Sequence, residues 1–158
     1  MSNLAIKNLE KLKQGFLFWN KYRASLEGSM DTFDFSNLQF EGELWRHNEL
    51  KNAELRNSDF TKTVFRNIDF LNVEFNGSDF SDASFYNVHF TNCIMDGCLF
   101  KNAVFNDVSW YYTNFKNIHF TKTNGIQKMR FYKCSFPKNS LEDLKTSALS
   151  FEECQFDL

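Results

Sequence analysis

Proline is almost absent from this 158-residue chain: Pro137 is the only copy, and glycine occurs just six times. With 42% hydrophobic residues besides, a long disordered tail is excluded. The few glycines form no phosphate-cradling loop, and neither G-x-S-x-G nor H-E-x-x-H occurs. No run of eighteen apolar residues exists, so no helical membrane span is expected. Phe16-Leu17-Phe18-Trp19 is too short for a signal-peptide core and follows a charged segment. A cytoplasmic site of action is expected. The four cysteines, Cys93, Cys98, Cys134 and Cys154, lack the spacing of a zinc ribbon. His47, His89 and His119 are isolated. No catalytic residue, metal or cofactor is therefore expected. Basic residues are also missing where they would matter for nucleic acid. From 67 to 100 there is no Lys or Arg, so direct nucleic-acid binding is not expected.

What the chain has in excess is phenylalanine, twenty copies, seventeen of them at centre positions of five-residue units. Every fifth residue from Leu50 to Phe120 is bulky and apolar, fifteen positions without a gap. Two residues before each centre lies a second column. Fourteen of its fifteen members are small or β-branched, such as Ala53, Ser58, Val73 and Cys93. A five-residue step turns about 140° net around an α-helix, which scatters the phenylalanines. In a strand an odd step alternates faces. A path that bends inward once per five residues satisfies both columns. Units this short cannot bury a face alone, so stacked coils must create the core. The cysteines all fall in the small inward column and read as compact core fillers.

Asn52-Ala53-Glu54-Leu55-Arg56, Asn57-Ser58-Asp59-Phe60-Thr61 and Gly77-Ser78-Asp79-Phe80-Ser81 resemble the units of the pentapeptide-repeat family. The resemblance implies an all-β solenoid: a right-handed, quadrilateral parallel β-helix with four pentapeptides per coil. The expected organisation is an N-terminal helical cap over 1–30 and a pentapeptide-repeat β-helix over 31–120. An irregular turn, short helix and closing repeats over 121–158 complete the same domain. Within the cap, 3–27 reads as helix, with Asn3 as N-cap and Gly15 bending or dividing it. The cap is basic, +3 with Phe16, Phe18, Trp19 and Tyr22, which also suits a membrane surface; covering the first coil is the preferred role. A distorted coil is expected around 41–48, with Glu43 turned outward. The register fails at 121–128 and resumes one residue late at Phe131 and Phe136. One or two helical turns are expected over 140–145, capped by Asn139 or Ser140.

The near-neutral total of −2 hides an acidic middle: residues 31–120 carry thirteen acidic and seven basic side chains. In twenty-residue coils, Asp34, Glu54 and Glu74 should form one outward column, Asp59 and Asp79 another, Glu49 and Asp69 a third. Asp82 lies nearby. Carboxylates stacked at about 4.8 Å resemble a nucleic-acid strand in sign and spacing. The resemblance extends to family members that imitate DNA and protect type II topoisomerases, with antibiotic resistance as the result. It implies a non-enzymatic binding protein whose partner is a DNA-binding enzyme. The competing expectation is a protein-interaction scaffold, effector or immunity protein anchored by Tyr111 and Tyr112 beside Trp110. A homodimer through Phe156 and Leu158 at the C-terminal end is also expected.

Overall fold

The computed structural model describes residues 2–26, 33–36, 38–42, 46–123, 125–137, 141, 144 and 146–157. Two helices come first, α1 (Asn3–Leu12) and α2 (Phe16–Ala24). Ser2, not Asn3, is the N-cap: its hydroxyl accepts from the Ala5 N–H at 2.9 Å. Asn3 already belongs to the helix. Gly15 divides the segment, at φ +103°, a conformation open to glycine without strain.

Eleven strands are found among the described residues. They are β1 (Phe33–Asp34), β2 (Gln39–Glu41), β3 (Glu49–Lys51), β4 (Ser58–Asp59), β5 (Val64–Leu71), β6 (Ser84–Thr91), β7 (Val104–Tyr111), β8 (Met129–Tyr132), β9 (Ser135–Phe136), β10 (Leu149–Glu152) and β11 (Gln155–Phe156). All pairings are parallel, one coil to the next. Phe65 pairs with Phe85 and Phe85 with Phe105, a twenty-residue coil of four five-residue sides. Each side points its centre residue and the small residue two before it into the core, where nearly all are fully buried.

The chain turns each corner two residues after a centre. Asn52, Asn57, Asn67, Asn72, Asn87, Asn92, Asn102 and Asn117 all hold φ between +49° and +57° there. Asparagine tolerates the left-handed region better than most residues. The Asn side chains also join successive coils. Asn92 Nδ2 donates to Asn72 Oδ1 at 2.8 Å, and Asn72 Nδ2 to Asn52 Oδ1 at 3.2 Å.

The rings stack in columns. Phe60 and Phe80 lie 4.9 Å apart with planes 4° from parallel; Phe80 and Phe100 repeat this at 5.0 Å. Trp110 continues the Phe90 column at 5.3 Å. Each buried ring contributes about 1.5–3 kcal/mol through lost water contact, and aromatic pairing about 0.5–1.5 kcal/mol more. Two buried hydroxyls of the small column are satisfied by carbonyls below them: Thr63 donates to Phe35 O and Ser78 to Leu55 O, both at 2.8 Å.

The two ends depart from the period. The first coil is five residues long by excess: Phe33 pairs with Ser58 and Phe40 with Phe65, twenty-five residues on. A short 3-10 turn at Arg46–Asn48, with His47 at φ 59°, lies within the added stretch. Gly42 is needed there, because a Cβ would stand 1.7 Å from Asn67 O. Glu43 lies outside the described residues. At the other end Trp110 pairs with Phe131, twenty-one residues on, so one residue is inserted within 111–128. The turns expected over 140–145, with Asn139 and Ser140, fall largely outside the described residues.

The helices cover the first coil. Trp19 Nε1 donates to Glu54 O at 2.7 Å, Asn20 Nδ2 to Asn52 O at 2.9 Å, and Glu54 N–H to Asn20 Oδ1 at 3.0 Å. Asn8 Nδ2 donates to Asp34 O at 3.0 Å. An open strand edge is thus paired by side chains. The last coil has no such cover among the described residues: Phe151 and Phe156 are 39% and 49% exposed.

Candidate functional site

The carboxylates named from the sequence project outward, and their columns match expectation except at Asp34. Glu54 stands beside Glu74, Asp59 beside Asp79, and Glu49 beside Asp69. Asp34 does not stand beside Glu54. It pairs with Asp59, because the twenty-five-residue first coil rotates the chain by one side. Each acidic column is short. Above Glu74 comes Ile94, above Asp79 comes Leu99, and above Asp69 comes His89. Ile94 and Leu99 are both exposed.

Several of these carboxylates already have partners. Asp34 accepts from the Ser2 hydroxyl and from the backbone and side chain of Ser36, at 2.9 and 2.7 Å for the latter two. Partial burial pushes its carboxyl up, and these hydrogen bonds outweigh that, leaving it below the usual carboxylate range. Asp34 is thus part of the cap contact. Arg56 reaches Glu54 at 3.0 Å and Glu74 at 3.5 Å, and Arg23 lies 3.9 Å from Glu54. His89 Nδ1 is 3.3 Å from Asp69. Asp59 and Asp79 each accept the backbone N–H two residues on, at 2.9 and 2.8 Å. Asp82 sits exposed on a corner at φ 59° and accepts from Asn102 at 3.0 Å. Asp96, two coils from the first, accepts from Asn117 at 3.0 Å. The open acidic strip is therefore Asp59, Asp79 and Asp82, with Asp96 beyond it.

The aromatic cluster around Tyr111 and Tyr112 is larger than the sequence indicates. Trp110 is fully buried in the ring column, and Tyr111 is half-buried. Tyr112 is 52% exposed at a corner. Tyr132 joins them from the next coil, 6.3 Å from Tyr111 and 5.6 Å from Tyr112, edge-on to the latter. Lys133 Nζ lies 5.0 Å from the Tyr132 ring centre and 5.7 Å from that of Tyr112. Only the one-residue insertion brings Tyr132 above Tyr111, which the linear order conceals. The corner asparagines were equally readable: their recurrence every fifth residue is in the sequence, two places after each centre.

His89 and His119 belong to different columns, above Asp69 and Leu99. Among the described residues no group of three or more His, Cys, Asp or Glu is placed to hold a metal ion. No described helix is long and apolar enough to cross a membrane.

A rod of stacked five-residue sides, filled by its own rings and polar outside, is a parallel β-solenoid of the pentapeptide class. Two family models of pentapeptide repeats match the chain, one over residues 50–97 and one over 83–121. No curated protein matches it in sequence. Solved structures share the fold. A pentapeptide repeat protein of the Arabidopsis thaliana thylakoid lumen superposes with TM-score 0.50 at 19% identity, over 66% of this chain and 62% of that one. The chain thus spans less than two thirds of that relative. Rfr23 from the cyanobacterium Cyanothece gives TM-score 0.51 at 11% identity, over 87% and 93%. QnrB1, a plasmid-mediated fluoroquinolone resistance protein, gives 0.40 at 14%, over 78% and 77%.

Proposed function

We propose that this protein is a non-enzymatic binding module whose acidic strip occupies the basic groove of a nucleic-acid-processing enzyme, such as a type II topoisomerase. The observation that carries this reading is the Asp59–Asp79 ladder on one face, extended by Asp82 at its corner. These charges lie at one-coil spacing on the solenoid, beside a stretch without Lys or Arg from 67 to 100. Ladders of this kind attract the cationic groove that DNA phosphates otherwise fill. Arg56 and His89 temper the neighbouring Glu54–Glu74 and Asp69 columns, so the binding face is narrower than the full acidic count suggests.

The test is a gyrase supercoiling assay, with and without quinolone, across a salt series. Addition of the protein should alter supercoiling or drug inhibition, and the effect should fade as salt rises. Asp59→Lys with Asp79→Lys should remove it, and Asp59→Asn with Asp79→Asn, which keep an oxygen to accept the backbone N–H two residues on, should weaken it with the melting temperature nearly unchanged. No effect of the native protein on either readout would sink the topoisomerase reading.

A second reading rests on the Tyr111, Tyr112, Tyr132 and Lys133 cluster, an aromatic patch suited to anchoring a protein partner. It predicts that Tyr112→Ala abolishes partner capture and the Asp59 and Asp79 reversals do not. The exposed Phe151 and Phe156 favour a second copy docking at the C-terminal end, which sedimentation of Phe156→Glu against the native chain decides. Leu158, the other residue expected there, lies outside the described residues.

A further inference from the structure

Three of the four thiols are buried, and each of these donates weakly to a carbonyl of the coil below: Cys93 to Phe70 O, Cys98 to Phe75 O and Cys134 to Trp110 O. Their column neighbours distinguish them. By the twenty-residue register, Cys93 lies between Val73 and Thr113, and Cys98 between Ser78 and Ile118. Cys134 alone has another cysteine in the next rung. Tyr132 pairs with Glu152 and Ser135 with Gln155, so Cys134 and Cys154 are bracketed on both sides by paired residues. Lys133 N–H donates to Glu152 O and Gln155 N–H to Cys134 O, both at 2.9 Å. The two backbones are therefore opposite one another across one rung, about 4.8 Å, within the range of about 4.4–6.8 Å that a disulfide bridges. Both side chains point inward, and each thiol donates to a carbonyl of the coil below, Cys134 to Trp110 O and Cys154 to Phe131 O.

We propose that Cys134 and Cys154 form an intrachain disulfide that staples the last coil to the rod. The end coil is where a staple has most to hold. Its inner rings stack on one side only, Phe151 on Phe131 at 5.1 Å and Phe156 on Phe136 at 5.3 Å, and their other faces are open. Cys154 is half-buried at that open end, so a reagent reaches it first. A low-molecular-weight disulfide of the glutathione type is the oxidant. The Cys154 thiol loses its proton to solvent, and the thiolate attacks one sulfur of the oxidant and expels one glutathione thiolate. Cys134 then loses its proton and attacks Cys154 Sγ, expelling the second. Two protein thiols give up two electrons and two protons, and one oxidised glutathione becomes two reduced ones.

Burial pushes the Cys134 thiol up to about 12, and the adjacent Cys154 adds to the rise, so the second step accelerates as pH increases. In-register side chains on neighbouring strands keep their Cβ atoms about one strand spacing apart, about 4.8 Å, just beyond the roughly 3.5–4.5 Å that a disulfide favours. The bond is for that reason readily reduced, and its occupancy follows the redox poise of the surroundings.

The experiment treats the native full chain with oxidised glutathione at several pH values. Free thiols are counted after denaturation, and peptides are mapped by mass spectrometry without reduction. The expected result is loss of two of the four thiols, a linked peptide pair containing Cys134 and Cys154, faster closure at higher pH, and a melting temperature raised by about 5 °C. Cys134→Ser should stop at a stable glutathione adduct on Cys154, whereas Cys93→Ser should close normally. A stable adduct on the native chain, a disulfide between two chains, or retention of all four thiols would each overturn the proposal.

Discussion

The indole N–H of Trp19 donates to the Glu54 carbonyl oxygen at 2.7 Å, from a helix to the open edge of the first regular coil. The ring itself is fully buried, 5.4 Å from Phe35 and 5.3 Å from Phe33. One side chain thus extends the ring column and closes the backbone edge above it.

Trp19→Ala should lower stability by about 3–5 kcal/mol, the range for losing a large core aromatic. Trp19→Phe retains most packing and leaves Glu54 O without its donor, costing about 1–3 kcal/mol. Urea unfolding followed by circular dichroism measures both. A Trp19→Ala midpoint equal to that of the native chain would show that the helices are passengers on the rod.

The corner asparagines make a second prediction. Asn72 holds φ at 53° while bonding Asn52 below and Asn92 above. Asn72→Gly keeps the turn and loses the ladder bonds. Asn72→Val forces a β-branched residue into the left-handed region as well, about 1–2 kcal/mol further. Thermal melts should rank native above Gly above Val; an equal loss for the two variants would mean the backbone demand is absent.

Stability should fall at both extremes of pH for different reasons. Asp34 titrates below its ordinary 3.8 when folded, so its contribution is present above that value and lost as pH falls through the lower folded one. Cys93 and Cys98 are pushed by burial from 9.0 to about 12. Their protonated forms favour the fold, so that stability is complete below pH 9.0 and declines as pH rises toward 12. The slope is roughly 1 kcal/mol per pH unit for each thiol. Urea midpoints of Cys93→Ala and Cys98→Ala across pH 8 to 11 should show a shallower alkaline decline than the native chain. An unchanged slope would contradict the thiol assignment.

The core was legible because the five-residue period reports directly on which residues point inward. Phe85 and Cys98 can be placed without knowing how many sides a coil has. The outer face was less legible for the same reason. A coil of twenty-five residues and one of twenty are both multiples of five, so Phe35 and Phe40 keep their inward phase while Asp34 moves one side around. The period that places the ring cannot place the carboxylate. Charge neutralisation was hidden too: Arg56 meets Glu74, and His89 meets Asp69, only after the coils stack. Tyr132 entered the aromatic patch through an insertion whose existence the register showed and whose geometric effect it did not.

The two irregular coils also give a nearly repetitive chain an address. Between them, sliding the sequence by one whole turn would place Phe on Phe and Asn on Asn with small loss, a degeneracy that weakens any repeating fold. The twenty-five-residue coil and the twenty-one-residue step occur once each, at opposite ends, and fit only one alignment. They act as the unequal teeth of a key. Deleting five residues from the first coil would remove one of those marks, and the chain would then sample shifted stackings that the intact sequence forbids.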